Sequence, residues 1–247
     1  MGKTKLVRAK EEILQIFFPK TCPVCENILD RHREICDECA GRLRYIREPK
    51  CKKCGKPFET SEEGDRVREY CGDCARGGHS YESGMAVFQY SDEIKESIYR
   101  FKYHNQRTYA GFYGKAMALR YGEMIQRLGI QILIPVPISR QKKVRRGYNQ
   151  AELMALALGR ELQIPVDSHM LIRSRDTIPQ KELNNRERRN NLKNAFKITQ
   201  NSIEYKKILL VDDIYTTGST IDACAEVLKR AGIEKVYYIS LSIGAGI

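Results

Sequence analysis

The chain has 247 residues, a formal net charge of +12 and nine cysteines. This length suits about two domains, because a typical domain has about 100–150 residues. No apolar run reaches the roughly 20 residues of a membrane-spanning helix, and residues 1–5 lead into charged residues rather than an apolar signal-peptide core. We therefore expect a cytoplasmic protein without a membrane span, whose basic surface attracts polyanions such as nucleic acids and acidic lipid headgroups.

Eight of the nine cysteines form four Cys-x-x-Cys pairs in the first third of the chain. Disulfides are rare in the cytoplasm, so this spacing favours metal ligation. Two intervening residues allow both thiolates of a pair to face one tetrahedral zinc ion. The sequence therefore predicts two structural Zn²⁺ sites, whose candidate ligands are Cys22, Cys25, Cys36, Cys39, Cys51, Cys54, Cys71 and Cys74.

Sequential pairing would place the first four of these cysteines on one ion and the last four on the other, which keeps both chain loops short. Interleaved pairing, an iron–sulfur cluster and free thiols remain open as alternatives. Four thiolates leave a zinc ion no position for a substrate, which indicates a role in folding or docking rather than in catalysis. The lysines and arginines around the pairs fit either nucleic-acid binding or a solvated basic surface.

The composition changes after the last cysteine pair, and we predict a double zinc-binding module at residues 1–79 and an α/β domain at residues 80–247. Continuous apolar runs predict buried parallel strands, and apolar residues at helical spacing predict the helices between them. The predicted strands are 84–88, 132–136, 208–211 and 235–240, and the predicted helices are 91–103, 110–128, 149–162 and 220–231. Residues 173–197 have few apolar positions and are predicted to form a surface loop or flap.

The strand predicted at residues 208–211 is followed by two aspartates, a turn of small residues and a helix beginning near Ser219. This order places the turn at the carboxyl end of a strand, where ligands bind in open α/β sheets. Amides at a helix N-terminus, four hydroxyl groups and one glycine together suit a phosphate monoester. We call these residues the phosphate turn: Thr216, Thr217, Gly218, Ser219 and Thr220. The alternative is an ordinary strand-to-helix turn with a capping hydroxyl.

Asp212 and Asp213 directly precede the phosphate turn and would repel a phosphate if they faced it. Carboxylates suit vicinal ribose hydroxyls, either directly or through Mg²⁺, so the pattern describes a ribose 5-phosphate. A basic cluster follows the predicted strand at 132–136, where it could stabilise the charge that develops on a pyrophosphate leaving group. Its members are Arg140, Lys142, Lys143, Arg145 and Arg146, and an exposed basic helix start is the alternative explanation.

The segment from Val211 to Thr220 resembles the signature of type I phosphoribosyltransferases that binds 5-phosphoribosyl-1-pyrophosphate (PRPP). The whole chain resembles the ComF/ComFC family of late competence proteins, which join a cysteine-rich module to a phosphoribosyltransferase-like body. Residues 135–137 and 146–150 resemble that family's pyrophosphate-loop region. The residues that fit its arginine-rich flexible-loop pattern are Arg173, Thr177, Gln180, Leu183, Arg186, Asn190, Ala195 and Phe196.

The resemblance implies a type I phosphoribosyltransferase-like fold, with a twisted, mainly parallel sheet flanked by helices. It implies that Asp212 and Asp213 take the ribose hydroxyls, that the phosphate turn holds the 5-phosphate, and that Ser139 and Arg140 begin a loop facing pyrophosphate and Mg²⁺. The candidate catalytic residues are Asp212, Asp213 and Arg146. The resemblance also places Lys102 and Tyr103 on the acceptor side, although packing on the surface would explain this pair equally well.

Three functions remain open from the sequence. The first is a PRPP-binding protein, with or without phosphoribosyl transfer, that acts in bacterial competence and DNA uptake. The second is a non-enzymatic adaptor whose zinc module binds single-stranded DNA or a partner helicase, with PRPP as a regulatory ligand. The third is nucleobase salvage, for which the zinc module would be an unexpected addition.

Overall fold

The computed structural model describes residues 19–30, 32–58, 68–174, 192, 194–199 and 204–244. The chain divides into two compact units, the first ending at Leu43 and the second beginning at Arg44. The second unit therefore contains the last two cysteine pairs as well as the α/β sheet. The domain boundary proposed at residues 79–80 stays a prediction. Of the helices within these ranges, none combines the length and the apolar character needed to cross a membrane.

The helices and strands are numbered in chain order. The helices are α1 (Asp37–Arg42), α2 (Gly72–Ala75), α3 (Asp92–Tyr103), α4 (Tyr109–Leu128), α5 (Arg140–Arg146), α6 (Gln150–Leu162) and α7 (Ser219–Arg230). The strands are β1 (Gly84–Gln89), β2 (Ile132–Pro135), β3 (Leu171–Arg173), β4 (Phe196–Ile198), β5 (Lys207–Tyr215) and β6 (Lys235–Ile243).

The first unit is a small cysteine-rich fold with little regular structure. Thr21 and Ile28 form an antiparallel bridge, and the Cys22 amide donates a hydrogen bond of 2.8 Å to the Asn27 carbonyl. These contacts close the first Cys-x-x-Cys turn on itself. The second pair of the unit lies at the start of helix α1, where Cys36 directly precedes the helix and Cys39 lies in its first turn.

Four strands of the second unit form a parallel sheet in the order β1-β6-β5-β2. Residues 208–211 of β5 are fully buried, as expected for a central strand covered on both faces. The outer edge of β1 is partly covered because the Ile46 amide donates to the Val87 carbonyl. The outer edge of β2 pairs with the segment around Val166. The predicted α/β class with a parallel sheet and flanking helices is confirmed.

Local signals explain where several helices begin and end. The Ser139 hydroxyl accepts a hydrogen bond from the Lys142 amide at the start of α5, and the Asn149 side chain accepts one from Ala151 at the start of α6. Helix α4 ends at Leu128 and is followed by Gly129, which adopts the left-handed conformation that favours glycine. The caps at Ser139 and Asn149 fix the starts of α5 and α6, the two helices that follow β2.

Two parts of the structure differ from the sequence prediction. Strand β5 continues through both aspartates to Tyr215, because β6 continues beside it and pairs Asp212 with Ser240. The predicted flap at residues 173–197 has strand at both ends, since β3 pairs antiparallel with β4. Neither short strand has a long apolar run, so hydrophobic periodicity could not reveal them.

Candidate functional site

The phosphate turn lies where β5 ends and α7 begins, at the carboxyl end of the sheet. Gly218 precedes the helix with φ of 80° and ψ of −7°, a left-handed conformation that other residues rarely adopt. Thr216 is exposed, whereas Gly218 and Ser219 are buried. The predicted strand–turn–helix arrangement is therefore present, with one side of the turn open to solvent.

The backbone amides of Thr216, Thr217 and Gly218 are available to an anion. Within the part of the chain that the structure describes, no backbone carbonyl accepts a hydrogen bond from the amides of Thr216, Thr217 or Gly218. The hydroxyl groups of Thr217 and Ser219 lie 2.9 Å apart and hydrogen-bond to each other. A helix N-terminus with free amides and clustered hydroxyls has the composition of a phosphate site.

The two aspartates at the end of β5 have different environments. The Asp213 carboxylate forms an ion pair of 2.6 Å with the ammonium of Lys102, in which both side chains are less than one-fifth exposed. The Asp212 carboxylate accepts a hydrogen bond of 2.8 Å from the Asp213 amide. Burial, followed by repulsion from Asp213, raises the pKa of Asp212 to about 7. The pair thus holds one carboxylate ready to ionise near neutral pH.

Positive side chains surround these carboxylates. Burial lowers the pKa of the Lys142 ammonium, and the charges of Arg173, Arg146 and Lys102 lower it further. Lys142 and Lys102 in turn act on Asp212, since both charges oppose the rise in its pKa. Lys102 and Lys142 act on the aspartates, and Arg146 and Arg173 act on Lys142, so this group of side chains holds more positive than negative charge, which suits a ligand with several phosphate groups.

Arg146 is held at the C-terminal end of α5 by contacts from two other helices. Its guanidinium donates to the Gln150 side-chain oxygen at 2.8 Å and to the Tyr103 hydroxyl at 3.0 Å. It also lies 5.0 Å from the centre of the Tyr103 ring. Burial would raise the pKa of the Tyr103 hydroxyl, but the charge of Arg146 and its hydrogen bond lower it. These contacts orient the guanidinium before any ligand is bound.

The predicted ligand residues occupy different places relative to the two aspartates. Pro135 pairs with Val211, so the chain that follows β2 emerges beside Asp212. Ser139 is buried and caps α5 rather than lying in an open loop, and Arg140 is exposed. Arg173 ends β3 and packs over the Phe196 ring at 5.6 Å. The following flexible-loop residues lie outside the described residues: Thr177, Gln180, Leu183, Arg186 and Asn190.

The cysteines gather into two sets of four, in sequential rather than interleaved order. The first set is Cys22, Cys25, Cys36 and Cys39, and the second set is Cys51, Cys54, Cys71 and Cys74. The ligand atoms of each set lie within 4.8 Å of one another. The Sγ atoms are 3.7 Å apart between Cys25 and Cys36 and between Cys54 and Cys71. Tetrahedral zinc with bonds of about 2.3 Å separates its sulfurs by about 3.8 Å, so both sets fit the ion.

One thiol in each set, Cys22 and Cys51, has an environment that favours the thiolate. Burial raises the pKa of Cys25 and Cys39, and hydrogen bonds with Cys51 raise those of Cys54 and Cys74. Burial alone would raise the pKa of Cys22, but hydrogen bonds from the backbone amides of Cys36, Cys25 and Val24 lower it to about 7. Hydrogen bonds from the thiols of Cys54 and Cys74 lower the pKa of Cys51. Since the thiolate is the form that binds metal, the backbone amides that donate to Cys22 assist ligation.

Sequence reasoning missed a buried group of tyrosines behind the phosphate turn. We call Tyr81, Tyr215 and Tyr238 the tyrosine cluster, because each ring contacts the other two. His79 stacks on Tyr81 and approaches Asp222 of α7, with 2.7 Å between Nδ1 and Oδ2. These residues are far apart along the chain and share no spacing, so no sequence pattern could have grouped them.

Two family models match separate parts of the chain. Residues 13–75 match the model of the double zinc ribbon domain, and residues 123–242 match the model of the phosphoribosyl transferase domain. The first match covers both sets of cysteines, and two Cys₄ zinc-binding sites fit a double zinc ribbon. The second covers β2, the basic helix α5, both aspartates and the phosphate turn.

Three curated relatives are similar over most of their length. Competence protein F of Haemophilus influenzae is 32% identical over 228 residues, which cover 89% of this chain and 95% of that protein. DNA utilization protein YhgH of Escherichia coli K12 is 29% identical, with 88% and 94% covered. Competence protein ComFC of Bacillus subtilis is 27% identical, with 83% and 82% covered.

Solved structures give a weaker likeness. A hypoxanthine phosphoribosyltransferase from Staphylococcus aureus is 14% identical with a TM-score of 0.35, covering 56% of this chain and 64% of its own. An adenine phosphoribosyltransferase from Leishmania tarentolae is 15% identical with a TM-score of 0.36, covering 58% and 74%.

The length and identity of the match to competence protein F establish the family. The chain belongs to the ComF/ComFC family, with a double zinc ribbon and a type I phosphoribosyltransferase-like domain.

Proposed function

We propose that this protein binds PRPP together with Mg²⁺ and acts in DNA uptake or DNA utilization in the cytoplasm of a bacterium. The observation that carries the proposal is the arrangement of charged side chains and backbone amides at the carboxyl end of β5. Two aspartates end a central strand, free amides of Thr216, Thr217 and Gly218 follow just before a helix, and cations from α3 and α5 act on the aspartates. The names of the relatives, competence protein and DNA utilization protein, support the cellular role.

In this proposal, different residues bind different groups of PRPP. The phosphate turn takes the 5-phosphate through amides and hydroxyls, and Asp212 and Asp213 take the ribose hydroxyls. Mg²⁺ would be held by these carboxylates together with oxygens of PRPP and would offset the charge of the pyrophosphate. Arg146 and Lys142 contribute positive charge on the pyrophosphate side, where the C1–O bond loosens if transfer takes place.

Calorimetry with PRPP and Mg²⁺ tests this proposal. We expect Asp212→Asn combined with Asp213→Asn to weaken binding at least tenfold, because hydrogen bonds to charged groups each contribute about 1.5–3 kcal/mol. The control is Asp92→Asn, since the Asp92 side chain is 97% exposed at the other end of α3 from Lys102. Unchanged affinity in the double variant would remove the ribose assignment.

Phosphoribosyl transfer is a separate question from binding. Transfer to a free base would release pyrophosphate when PRPP and that base are both present. A panel of nucleobases with a pyrophosphate assay therefore separates the salvage activity from a protein that only binds PRPP. Release of pyrophosphate with a single base would favour salvage. If PRPP binds but no pyrophosphate is released, PRPP would instead be the regulatory ligand of an adaptor.

A specific surface favours single-stranded DNA binding as a second function. Tyr99 and Tyr103 are 49% and 42% exposed on the last turns of α3, with ring centres 5.0 Å apart. Arg145 lies 5.3 Å from the Tyr103 ring, and His104 packs against Tyr99. Exposed rings beside guanidinium groups suit unpaired bases, because stacking contributes about 1–3 kcal/mol per base. A partner helicase remains a prediction from the family resemblance.

Fluorescence anisotropy with a labelled oligothymidylate tests the second function. We expect Tyr103→Leu to weaken binding at least fivefold. For the unaltered protein, the logarithm of the binding constant should fall by about 0.7 for each neutralised phosphate when the salt concentration rises tenfold. Tyr90→Leu is the matched control, because Tyr90 is similarly exposed but lies before α3. Equal losses in both variants would refute a role for the α3 surface.

A further inference from the structure

The tyrosine cluster is a buried connection between three segments of the second unit. Tyr215 and Tyr238 stack with ring centres 4.8 Å apart and planes within 4° of parallel, and Tyr81 meets Tyr238 edge-on at 4.9 Å. The hydroxyl groups of Tyr81 and Tyr215 lie 2.8 Å apart and hydrogen-bond. All three side chains are at most 4% exposed, so water cannot replace these contacts without unpacking the core.

One end of the cluster is attached to the second set of cysteines. The Tyr238 hydroxyl donates a hydrogen bond of 2.6 Å to the carbonyl of Cys54. The preceding carbonyl, that of Lys53, accepts from the Gly84 amide at 2.8 Å. A side chain at Gly84 would overlap the Tyr238 ring, so glycine is what allows the ring to reach Cys54 across β1. The metal-ligand turn is thereby joined to two strands of the sheet.

The other end of the cluster lies against the phosphate turn. The Tyr215 hydroxyl is 2.5 Å from the place where a Cβ would stand at Gly218, so it rests directly on the glycine of the turn. Gly218 is the residue whose left-handed conformation directs the chain into α7. The position of the Tyr215 hydroxyl therefore limits where the turn can lie.

A second connection leaves the same set of cysteines through the segment after Cys74. The Ser80 amide donates to one Asp222 oxygen at 2.9 Å, and His79 contacts the other oxygen at 2.7 Å. The side chains of His79 and Asp222 are 1% and 9% exposed. Asp222 stands in the first turn of α7, so this contact fixes the helix that begins at the phosphate turn.

We propose that metal bound by the second set of cysteines positions the phosphate turn, with Tyr81, Tyr215 and Tyr238 as the positioning residues. Zinc fixes the turn from Cys51 to Cys54 and hence the Cys54 carbonyl that Tyr238 uses. Without metal, this turn and the segment after Cys74 lose their constraint, and the support behind Gly218 loosens. The first set of cysteines lies in the other compact unit and serves as the comparison. The consequence for ligand affinity rests on the proposed binding of a sugar phosphate.

Hydrogen exchange read by mass spectrometry tests the connection without any ligand. Cys54→Ser and Cys25→Ser are each expected to lower the zinc content by about one ion per chain, because each breaks one closed four-thiolate site. Faster exchange at residues 215–222 in Cys54→Ser, but not in Cys25→Ser, supports the proposal. The same exchange rates in both variants and in the unaltered protein would overturn it.

Substitutions that keep every cysteine guard against simple misfolding. Tyr238→Phe and Tyr215→Phe remove one hydroxyl group each, and Tyr121→Phe is the matched control, because its buried hydroxyl donates to Ala86 at 2.8 Å. We expect ribose 5-phosphate to bind about two- to tenfold more weakly to the first two variants, the effect of one net hydrogen bond. The thermal midpoints of all three should fall by similar amounts. An equal loss of affinity in Tyr121→Phe would refute a positioning role.

The two proposals fail in different ways. If the unaltered protein binds neither ribose 5-phosphate nor PRPP, the proposed function is wrong, and hydrogen exchange still decides the connection to the metal. If the sugar phosphate binds but Cys54→Ser and Tyr238→Phe affect neither affinity nor exchange at residues 215–222, the connection is wrong and the proposed function stands.

Discussion

Substituting Gly218 with alanine should destabilise the protein through two separate effects. At φ of 80° a non-glycine residue costs about 1–2 kcal/mol. The added methyl group would also stand 2.5 Å from the Tyr215 hydroxyl. That hydroxyl cannot move away easily, because it bonds to Tyr81 and its ring is stacked on Tyr238. Overpacking of this kind costs about 1–3 kcal/mol, so the total is about 2–5 kcal/mol.

Urea unfolding followed by circular dichroism measures this free energy. Gly129→Ala is the matched control, because Gly129 has φ of 68° and only the flexible end of Lys207 near its Cβ position, at 3.7 Å. It should cost only the backbone part, about 1–2 kcal/mol. In a Tyr215→Phe background the 2.5 Å contact disappears, and the next atom of the ring is 3.0 Å away, so part of the overpacking cost should be recovered.

Two results would refute this reasoning. Equal losses of stability in Gly218→Ala and Gly129→Ala would mean that the Tyr215 hydroxyl does not confine the turn. No recovery in the Tyr215→Phe background would mean that the overpacking arises elsewhere. A loss of ribose 5-phosphate affinity in Gly218→Ala that exceeds the loss in Gly129→Ala would connect the conformation of the turn to binding.

Four further predictions concern charge and metal. Folding raises the pKa of Asp212 from 3.8 to about 7, so ionisation of this carboxyl should reduce the stability of the protein as pH rises from about 4 to 7. Asp212→Asn should therefore become more stable relative to the unaltered protein over that range. A constant difference between their urea midpoints would contradict this. Lys102→Met should raise the pH at which Mg²⁺-dependent PRPP binding is half-maximal, because the charge of Lys102 lowers the pKa of Asp212. Calorimetry at a series of pH values measures this pH, and an unchanged value would contradict the prediction. Arg146→Leu should weaken PRPP binding about tenfold, the effect of a charged hydrogen bond, whereas Arg127→Leu on the exposed end of α4 should change it less than twofold. Elemental analysis should find about two zinc ions per chain, and iron or a single zinc would contradict two closed four-thiolate sites.

The sequence by itself determined the fold class and most of the regular elements. The apolar runs at residues 208–211 and 235–240 predicted the central strands, because a parallel sheet covered on both faces needs continuous apolar residues. The four Cys-x-x-Cys pairs predicted two metal sites, because reduced cysteines at this spacing typically bind a metal ion. The order of two aspartates, small hydroxyl residues and glycine placed the phosphate turn correctly between strand and helix.

The pairing of the cysteines and the surroundings of the pocket needed the tertiary structure. Both orders of pairing satisfy the same local spacing, and only packing decides which thiols meet. Lys102 and Asp213 are separated by more than a hundred residues, yet they form the ion pair of the pocket because α3 and β5 end close together. The tyrosine cluster behind the turn likewise combines residues from distant segments. Local residue patterns determine helices, strands and turns, whereas contacts between distant side chains exist only once the sheet has brought them together.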